Sequence, residues 1–587
     1  MDAGGLAVKM IQRVSESTSQ RVGDSTKRGF VDSLIRRFAG SFLLLPAVFF
    51  LAIFFFLPLI RILTLSLDAS AFTSANLQRA FSVFRFTFYQ AALSTLLTFL
   101  LGLPSSVLFA RFNFPGKPLL RALTAVPFML PTVVVAAGFN ALLGPRGWLS
   151  FLFPQSSFQF TGTLTAILLA HVFYNTTIVI RIVGNALTHL DPKLDQAAHV
   201  LGADNWRTWT QVTLPLLRAP MLAAGLLVFL FDFTSFGVIL LLGGPQFSTL
   251  EVEIYIQSLQ LLNLPMAALL SLIQLLCTLA FSILYSRIVE HAFVPTTPKP
   301  SIARPPKSLR ERIFVTSFIF FLSSFFILPL VSLPLRSLTR LEADRGQREE
   351  IQYGLTGDYY NELFINRKGS VFYVPPIEAA RNSLTYAGAT VALSLLLGFP
   401  AASALTRPNR LTRLLDSFLL LPLGASAVTL GLGYIITFNK PIVTNHQSLI
   451  TSPLIIPLAH TIIALPFVIR TLQPALASIP ERLRQAASML GASPFRVWQT
   501  VDFPILSRAT LSAATFAFTV SLGEFGATLL ITRPEYPTIP IAIQRFLSQP
   551  GGLNYGQAMA MATLLMVLTT LAILIIEKLR LSDSGEF

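Results

Sequence analysis

Two acidic residues lie inside long apolar runs of the 587-residue sequence: Asp232 in VFLFDFTSFG and Glu524 in SLGEFGATLL. A carboxylate at membrane depth is energetically costly, and it usually faces a cavity or a partner side chain. We therefore interpret Asp232 and Glu524 as candidates for lining a translocation path. The alternative is structural: both carboxyl groups could be hydrogen-bonded to neighbouring Ser and Thr residues and hold helices together.

No other set of residues predicts an active site. The six histidines show no metal-ligand spacing, and the single cysteine, Cys277, excludes a disulfide framework. His171 and His460 lie in apolar segments, where we expect interhelix hydrogen bonds. No G-x-x-x-x-G-K-[ST] sequence occurs, so the chain supplies no phosphate-binding loop for ATP. We therefore predict a protein that is not an enzyme and that has no catalytic residues, metal or cofactor.

The composition predicts a membrane protein with many spans. Apolar residues make up 53% of the chain and charged residues 12%, and the mean hydropathy is +0.65. A soluble chain carries about 25% charged residues. A helix needs about 20 mostly apolar residues to cross a bilayer. Twelve segments meet this requirement: residues 42–62, 89–109, 123–143, 164–180, 220–242, 266–286, 313–335, 384–405, 414–437, 453–469, 511–531 and 557–576.

The distribution of positive charge predicts the sidedness of these spans. If the N-terminus is cytoplasmic, the loops and tails on that side hold 30 Lys and Arg residues, and the opposite side holds 14. Seven of the 14 lie in one long segment, 336–383, and long loops follow the positive-inside rule poorly. A signal peptide at the N-terminus is the alternative, but the apolar stretch that follows is too long for one. We predict a bacterial inner-membrane protein with both termini cytoplasmic, which contacts the lipid bilayer and not nucleic acid.

The chain contains an internal duplication. A shift of 289 residues aligns residues 169–215 with residues 458–504 without a gap, and 19 of these 47 positions are identical. The same shift aligns Asp232 with Ser521 and Glu524 with Ser235. Each half holds six predicted spans, so both copies enter the membrane from the same side. The sequence therefore predicts a parallel repeat, related by an axis along the membrane normal.

The best-matched part of the repeat is a cytoplasmic segment. It reads LDPKLDQAAHVLGADNWRTWTQVTLP at residues 190–215 and IPERLRQAASMLGASPFRVWQTVDFP at residues 479–504. Asp191 is typical of a helix start, and Gly202 and Gly491 are typical of helix ends, so we predict two short helices in each copy. An amphipathic connector on the lipid surface is one interpretation. Docking of a partner protein better explains why both halves carry the same residues.

These two segments resemble the EAA loop of binding-protein-dependent ABC importer permeases, whose pattern is E-A-A, three residues, G, nine residues, I-x-L-P. The matching residues are Ala197, Ala198, Gly202, Val212, Leu214 and Pro215 in the first copy, and Ala486, Ala487, Gly491, Val501, Phe503 and Pro504 in the second. Both copies carry Gln, at Gln196 and Gln485, where the family usually has Glu, which keeps hydrogen bonding but removes the charge. In that family the loop is the coupling helix that binds the ATPase subunit, and the resemblance implies this role here.

Three further runs resemble the fused, twelve-span permeases of thiamine and ferric-iron importers: FTFYQAALSTLL, LLAHVFYN and LLLGGPQFSTLEVEIY. The run LGEFGATLL is also shared with permeases for oxyanions. The resemblance implies the type I ABC importer (MetI-like) architecture and alternating access for a small solute, with thiamine or ferric iron favoured. It also implies two copies of a separate ATPase subunit and an extracytoplasmic solute-binding protein as partners. For a cationic substrate, negative charge at Asp232 and Glu524 would lower the electrostatic barrier.

The expected organisation is an all-α polytopic membrane protein made of two parallel six-helix repeats. The predicted segments are a cytoplasmic tail at 1–41, a first permease domain at 42–288, a Pro-rich cytoplasmic linker at 289–312 and a second permease domain at 313–587. The second domain includes the extracytoplasmic insert 336–383. The main alternative is a secondary transporter or channel that is driven by an ion gradient and has a duplicated six-helix unit. A membrane scaffold without transport is a third possibility, but it leaves the intramembrane acids unexplained.

Overall fold

The computed structural model describes residues 42–149, 160–292, 303–340, 354–366, 374–406, 410–439 and 448–581. Within these ranges the regular structure is helical, and the backbone forms two isolated bridges but no named strand. The predicted all-α class is therefore confirmed. The tail predicted at 1–41 lies outside the described residues, as do parts of the predicted linker and insert.

Apart from a 3₁₀ helix at Ala69–Phe72 and a π-helical segment at Ile256–Gln260, the described part of the first half contains eleven helices. They are α1 (Leu45–Ser66), α2 (Ser74–Arg111), α3 (Lys117–Met129), α4 (Thr132–Leu143), α5 (Leu164–His189), α6 (Pro192–Val200), α7 (Asn205–Leu216), α8 (Arg218–Phe233), α9 (Gly237–Leu242), α10 (Leu250–Tyr255) and α11 (Leu264–Ala292).

The described part of the second half repeats this order with two differences: it has one additional short helix in the insert, and the counterparts of α7 and α8 are joined into one helix. Its helices are α12 (Leu309–Ser337), α13 (Asp358–Asn361), α14 (Pro376–Leu405), α15 (Arg410–Gly424), α16 (Ala427–Phe438), α17 (Ile455–Ala477), α18 (Glu481–Met489), α19 (Phe495–Gly523), α20 (Gly526–Ile531), α21 (Ile539–Leu547) and α22 (Gly552–Leu581). The starts of α20 and α21 lie 289 residues after those of α9 and α10, as the sequence alignment predicts.

The number of spans agrees with the prediction of about twelve. Within the described ranges, nine helices are long and apolar enough to cross a membrane: α1, α2, α5, α11, α12, α14, α17, α19 and α22. Three bent pairs, α3 with α4, α7 with α8 and α15 with α16, raise the number to twelve when each pair is counted as one span.

Two predicted spans are sharply bent in the structure, which corrects their treatment as single helices. In segment 123–143, α3 and α4 meet at 110°. Pro131 follows the break and disfavours a helical conformation at Leu130, which is extended (φ −76°, ψ 147°). In segment 414–437, α15 and α16 meet at 99°, and Ser426 caps α16.

Two further predicted spans are interrupted at the intramembrane acids. In segment 220–242, α8 ends one residue after Asp232, and α9 begins after a gap of three residues. In segment 511–531, the backbone of Glu524 is extended (φ −67°, ψ 127°) and separates α19 from α20. A broken helix leaves backbone groups without intrahelical partners, so it is tolerated at membrane depth only where protein or a cavity surrounds it.

The first helix of each half packs against the other half. α1 packs on α16, and α12 packs on α4. Both crossings place a glycine against a proline. A Cβ atom on Gly433 would lie 2.8 Å from the Cβ of Pro58, and one on Gly138 would lie 2.8 Å from the carbonyl oxygen of Pro329. Small residues permit this close approach of membrane helices, so the halves are joined by two equivalent crossings.

The helices at the centre of the two halves are α5 and α17. In each, 72% of the most apolar 18-residue window is buried, compared with 22–56% for the other long helices. α5 carries His171 and α17 carries His460, so both histidines are held on the most enclosed elements of the fold.

Candidate functional site

Loop 1, defined as residues 190–215, folds into a short helix, a glycine turn and a second helix, as predicted. Asp191 caps α6 by accepting a hydrogen bond from the backbone amide two residues later, at 3.0 Å. Gly202 follows the helix with φ +86°, a left-handed conformation that favours glycine. Asp204 then caps α7 by accepting a hydrogen bond from the backbone amide three residues later, at 2.8 Å.

Loop 2, residues 479–504, has the same geometry. Gly491 has φ +80°, and the amide of Ala492 donates to the carbonyl of Ala487 at 3.1 Å, which closes the end of α18. A Cβ atom on Gly202 or Gly491 would meet no atom within 4 Å, so the backbone conformation, and not lack of space, selects glycine. The two loops therefore present equivalent helix–turn–helix units.

The other predicted loop residues lie at or near the surface of these units. Gln196, Ala197, Gln485, Ala486 and Pro504 are exposed, and Ala198, Pro215 and Ala487 are half-buried.

At four equivalent positions that the sequence motif did not identify, both loops expose a large apolar side chain. They are Leu194, Val200, Leu201 and Trp206 in loop 1, and their counterparts Leu483, Met489, Leu490 and Phe495 in loop 2. Val200 and Leu201 are each 87% exposed, and Met489 and Leu490 are each 89% exposed. We call these four side chains of each loop the apolar quartet. The sequence signal for it was the apolar pair immediately before each glycine. Exposed apolar clusters of this kind mark interaction sites.

A polar contact joins the first helix of each loop to the segment that returns to the membrane. In loop 1, Asp195 accepts from the Thr213 hydroxyl at 3.2 Å and pairs with Arg111 at 2.9 Å. In loop 2, the counterparts of Asp195 and Thr213 are Arg484 and Asp502, which pair at 2.8 Å. Partial burial acts to lower the pKa of Arg484, but hydrogen bonds to Asp502 and a second carboxylate hold it above its ordinary value. The two loops thus form this contact at equivalent positions, through an acid and a hydroxyl in loop 1 and through an ion pair in loop 2.

In the first half, the break after α8 lies against α5. The Oδ1 atom of Asp232 accepts from the Asn175 amide at 2.6 Å and lies 3.4 Å from Nδ1 of His171. The Nε2 atom of His171 lies 2.8 Å from the hydroxyl oxygen of Ser235. All four side chains are buried. The expected interhelix bond of His171 therefore exists, and it involves the groups at the break.

The second half has a related arrangement around His460. Its Nδ1 atom lies 2.7 Å from the Ser521 hydroxyl, and its Nε2 atom lies 2.8 Å from the Thr528 hydroxyl and 3.3 Å from Oε2 of Glu524. The Glu524 carboxylate also accepts from the backbone amides of Ala527 and Thr528, at 2.7 and 2.9 Å, and from the Thr528 hydroxyl. Glu524 therefore anchors the start of α20, which gives it a structural role.

The two halves hold the same kinds of group around their histidines, with the acid and the serine exchanged. Asp232 occupies the repeat position of Ser521, and Ser235 occupies that of Glu524. The alignment of the sequence shows this exchange, but only the structure shows that both positions contact one histidine in each half.

A cavity of about 360 Å³, the central cavity, lies between the two halves. Asp232 and Glu524 both line it, so the structure brings the two predicted acids to one site. A third acid, Glu251 of α10, also lines the cavity and accepts a hydrogen bond from the Gln274 amide at 2.6 Å. Glu251 was not predicted from the sequence, because it lies between two predicted spans. Its position as an acid in an apolar stretch was nevertheless a signal that could have identified it. Aromatic rings complete the wall: Tyr174, Phe231, Phe236 and Phe525.

A duplicated bundle of this kind, with a cavity between its halves and equivalent loops on each half, defines a two-domain membrane transporter. Residues 100–292 and 394–580 each match the family described as "Binding-protein-dependent transport system inner membrane component". The chain belongs to this family and is a multi-pass inner-membrane permease subunit of a binding-protein-dependent ABC importer. Permeases of this family work with a binding protein and an ATPase, so the ion-gradient-driven alternative does not apply.

Individual relatives match along most of the chain. The thiamine transport system permease protein ThiP of Escherichia coli (strain K12) is 27% identical over 503 residues, 85% of this chain and 88% of the relative. The protein of the same name from Brucella abortus (strain 2308) is 28% identical over 532 residues, 89% and 91%. The probable ABC transporter permease protein y4fN of Sinorhizobium fredii is 26% identical over 511 residues, 85% and 88%. These matches confirm the predicted resemblance to fused two-domain permeases.

Proposed function

We propose that this chain is the permease of a thiamine importer, in which two copies of a separate ATPase subunit bind loops 1 and 2. An extracytoplasmic binding protein would deliver thiamine to the opposite face. Thiamine is favoured because the relatives from Escherichia coli and Brucella abortus carry it in their names. Ferric iron, which the sequence resemblance also allowed, has no such support from the three relatives described above.

The observation that carries the ATPase part of this proposal is the apolar quartet, present at equivalent positions of both loops. A connector on the lipid surface needs only an apolar face, and nothing requires it to be the same in both halves. Two identical partner subunits need two equivalent surfaces. The matched turns at Gly202 and Gly491 present the quartet in the same geometry, which fits binding of the same partner twice.

The structure offers a direct mechanical connection from the loops to the central cavity. Loop 2 runs into α19 as one helix, which ends at Gly523, next to Glu524. Loop 1 runs through α7 into α8, with a bend of 68°, and α8 ends next to Asp232. A displacement of the loops by the ATPase would therefore move the two helix breaks beside the cavity, as alternating access requires.

The proposal includes the topology and the domain division. The permease domains are 42–288 and 313–587, the linker 289–312 and both termini are cytoplasmic, and the insert 336–383 is extracytoplasmic. The excess of Lys and Arg on the loop side supports this orientation.

The test replaces the most exposed member of each quartet, as Leu201→Ser and Leu490→Ser. Losing one leucine from a buried interface removes about 1.5–3 kcal/mol, which weakens ATPase binding by roughly tenfold or more. Thiamine uptake and ATPase co-purification should both fall, while the amount of permease in the membrane stays unchanged. Leu355→Ser, at an equally exposed leucine of the insert, is the matched control and should leave ATPase binding intact. Unchanged ATPase co-purification in both loop variants would favour the lipid-surface connector instead.

A further inference from the structure

We propose that the central cavity is a binding site for an aromatic organic cation, with Asp232 and Glu251 as its principal carboxylate ligands. This inference rests on the proposed function, since thiamine carries a positively charged aromatic ring. It adds a substrate site within the permease itself, and it assigns to Glu251 a role that neither the repeat nor the loop motif indicates.

The charge of the cavity wall supports a cationic ligand. Asp232, Glu251 and Glu524 all face the same space, and none of the described residues that line it is Lys or Arg. All three acids are buried. An ionised carboxylate at this depth is costly unless a positive charge or several donors compensate it. A bound cation supplies that compensation at the point where the two halves meet.

The three acids are not equivalent. Glu524 is satisfied by two backbone amides and the Thr528 hydroxyl. Asp232 accepts from the Asn175 amide and lies beside Nδ1 of His171, and its Oδ2 atom is buried without a hydrogen-bond partner in the described part of the chain. Glu251 accepts from the Gln274 amide and lies beside the Ser426 hydroxyl. These two carboxylates therefore have acceptor capacity left for a ligand, whereas Glu524 contributes charge from a position fixed by α20.

The neutral groups beside the acids give independent support. Asn175 and Gln274 each donate to a carboxylate, and the remaining side-chain oxygen of each is buried without a hydrogen-bond partner in the described part of the chain. Leaving a buried acceptor unpaired is unfavourable. Asn175 lines the cavity itself, so its free oxygen can accept a hydrogen bond from an amino group of a ligand.

The size and the aromatic lining of the cavity favour an organic ring over a bare metal ion. Tyr174 and Phe231 of the first half and the facing pair Phe236 and Phe525 supply ring surfaces around the cavity. Aromatic faces attract organic cations and stack on flat heterocycles. A hard metal ion would instead need converging oxygen ligands. A volume of about 360 Å³ lies in the range of small-molecule sites.

The experiment measures thiamine binding to the purified permease–ATPase complex in lipid nanodiscs, without the binding protein. The variants are Glu251→Gln and Asp232→Asn, which keep size and hydrogen bonding but remove charge. The matched control is Glu253→Gln, which removes a buried carboxylate on the same helix that pairs with Arg79 at 2.7 Å and lies outside the cavity. The uncharged pyrimidine half of thiamine, 4-amino-5-hydroxymethyl-2-methylpyrimidine, tests the need for positive charge.

We expect the unmodified complex to bind thiamine directly, each cavity variant to bind at least tenfold more weakly, and the control variant to bind as the unmodified complex does. The uncharged pyrimidine should bind weakly to all of them. The cavity site is overturned if cells take up thiamine normally but the purified complex shows no direct binding. It is also overturned if uptake is normal and both cavity variants bind thiamine as the unmodified complex does. Either result leaves the importer function standing. Absence of thiamine uptake by the complete transporter overturns the proposed substrate, and the cavity assignment with it.

Discussion

The ring of Phe236 lies against the ring of Phe525, with 5.4 Å between the centroids and 30° between the planes. The two residues are equivalent under the 289-residue shift, and each is the last residue of the break in its own half. Equivalent residues can contact each other only near the axis that relates the halves. The pseudo-twofold axis therefore passes between these rings, at the wall of the central cavity, and rearrangement of the halves must alter this contact.

Replacement of either ring should weaken the association of the halves. Phe236→Leu and Phe525→Leu should each lower the melting temperature of the purified protein, since an aromatic pair contributes about 0.5–1.5 kcal/mol beyond its buried area. The melting temperature of the double variant should fall by less than the sum of the two single decreases, because the first substitution has already removed the contact between the rings. Strictly additive losses would show that the two rings do not stabilise each other.

The glycines at the two helix crossings should be intolerant of even one methyl group. Gly433→Ala and Gly138→Ala bring a Cβ within 2.8 Å of atoms of Pro58 and Pro329, and overpacking of this kind costs about 1–3 kcal/mol. Thermal unfolding in detergent should show a lower melting temperature for both variants.

Gly388→Ala is the matched control for these crossings. Gly388 lies in α14, and a Cβ there would meet no atom within 4 Å. Alanine is favoured over glycine in a helix by about 1 kcal/mol, so this variant should be neutral or slightly more stable. An equal loss of stability in all three variants would contradict the packing explanation.

The features that could be predicted from the sequence are those set by local chemistry. The capping by Asp191 and the turn at Gly202 follow from residue type alone, and the repeat identified both loops. The breaks beside Asp232 and Glu524 were not predicted, because hydropathy over about 20 residues averages across a gap of two or three residues. The crossing of α1 and α12 and the role of Glu251 depend on contacts between distant segments, which a single sequence does not reveal.

The left-handed turn of loop 2 gives a prediction that separates backbone strain from lack of space. Gly491→Val should reduce thiamine uptake and ATPase co-purification, because a β-branched residue is strained at φ +80°. Gly491→Asn should retain most of both, since asparagine tolerates this conformation. Equal effects of the two substitutions would indicate that side-chain volume at this surface, and not the turn, controls docking.

Leu262, between α10 and α11, occupies a position where glycine would be less strained. Its φ is +53°, and its counterpart under the repeat is Gly551, with φ +111°. Leu262→Gly should raise stability by up to about 1 kcal/mol, because the left-handed conformation is unfavourable for leucine. Leu261→Gly, at φ −97°, should lower stability by about 0.5–1 kcal/mol. Thermal unfolding compares them, and equal changes in both would show that Leu262 is not strained.

The orientation of the chain can be tested with cysteines placed at exposed positions on the two sides. Leu355 of the insert and Met489 of loop 2 are both exposed, so neither substitution should disturb packing. The native Cys277 is first replaced with Ser, and the ATPase subunit is omitted so that it cannot cover loop 2.

In intact cells a membrane-impermeant maleimide should label Leu355→Cys and not Met489→Cys. Permeabilised cells should show labelling of both, because the bilayer alone protects loop 2. Labelling of Met489→Cys but not Leu355→Cys in intact cells would invert the topology, and loops 1 and 2 could then not bind a cytoplasmic ATPase.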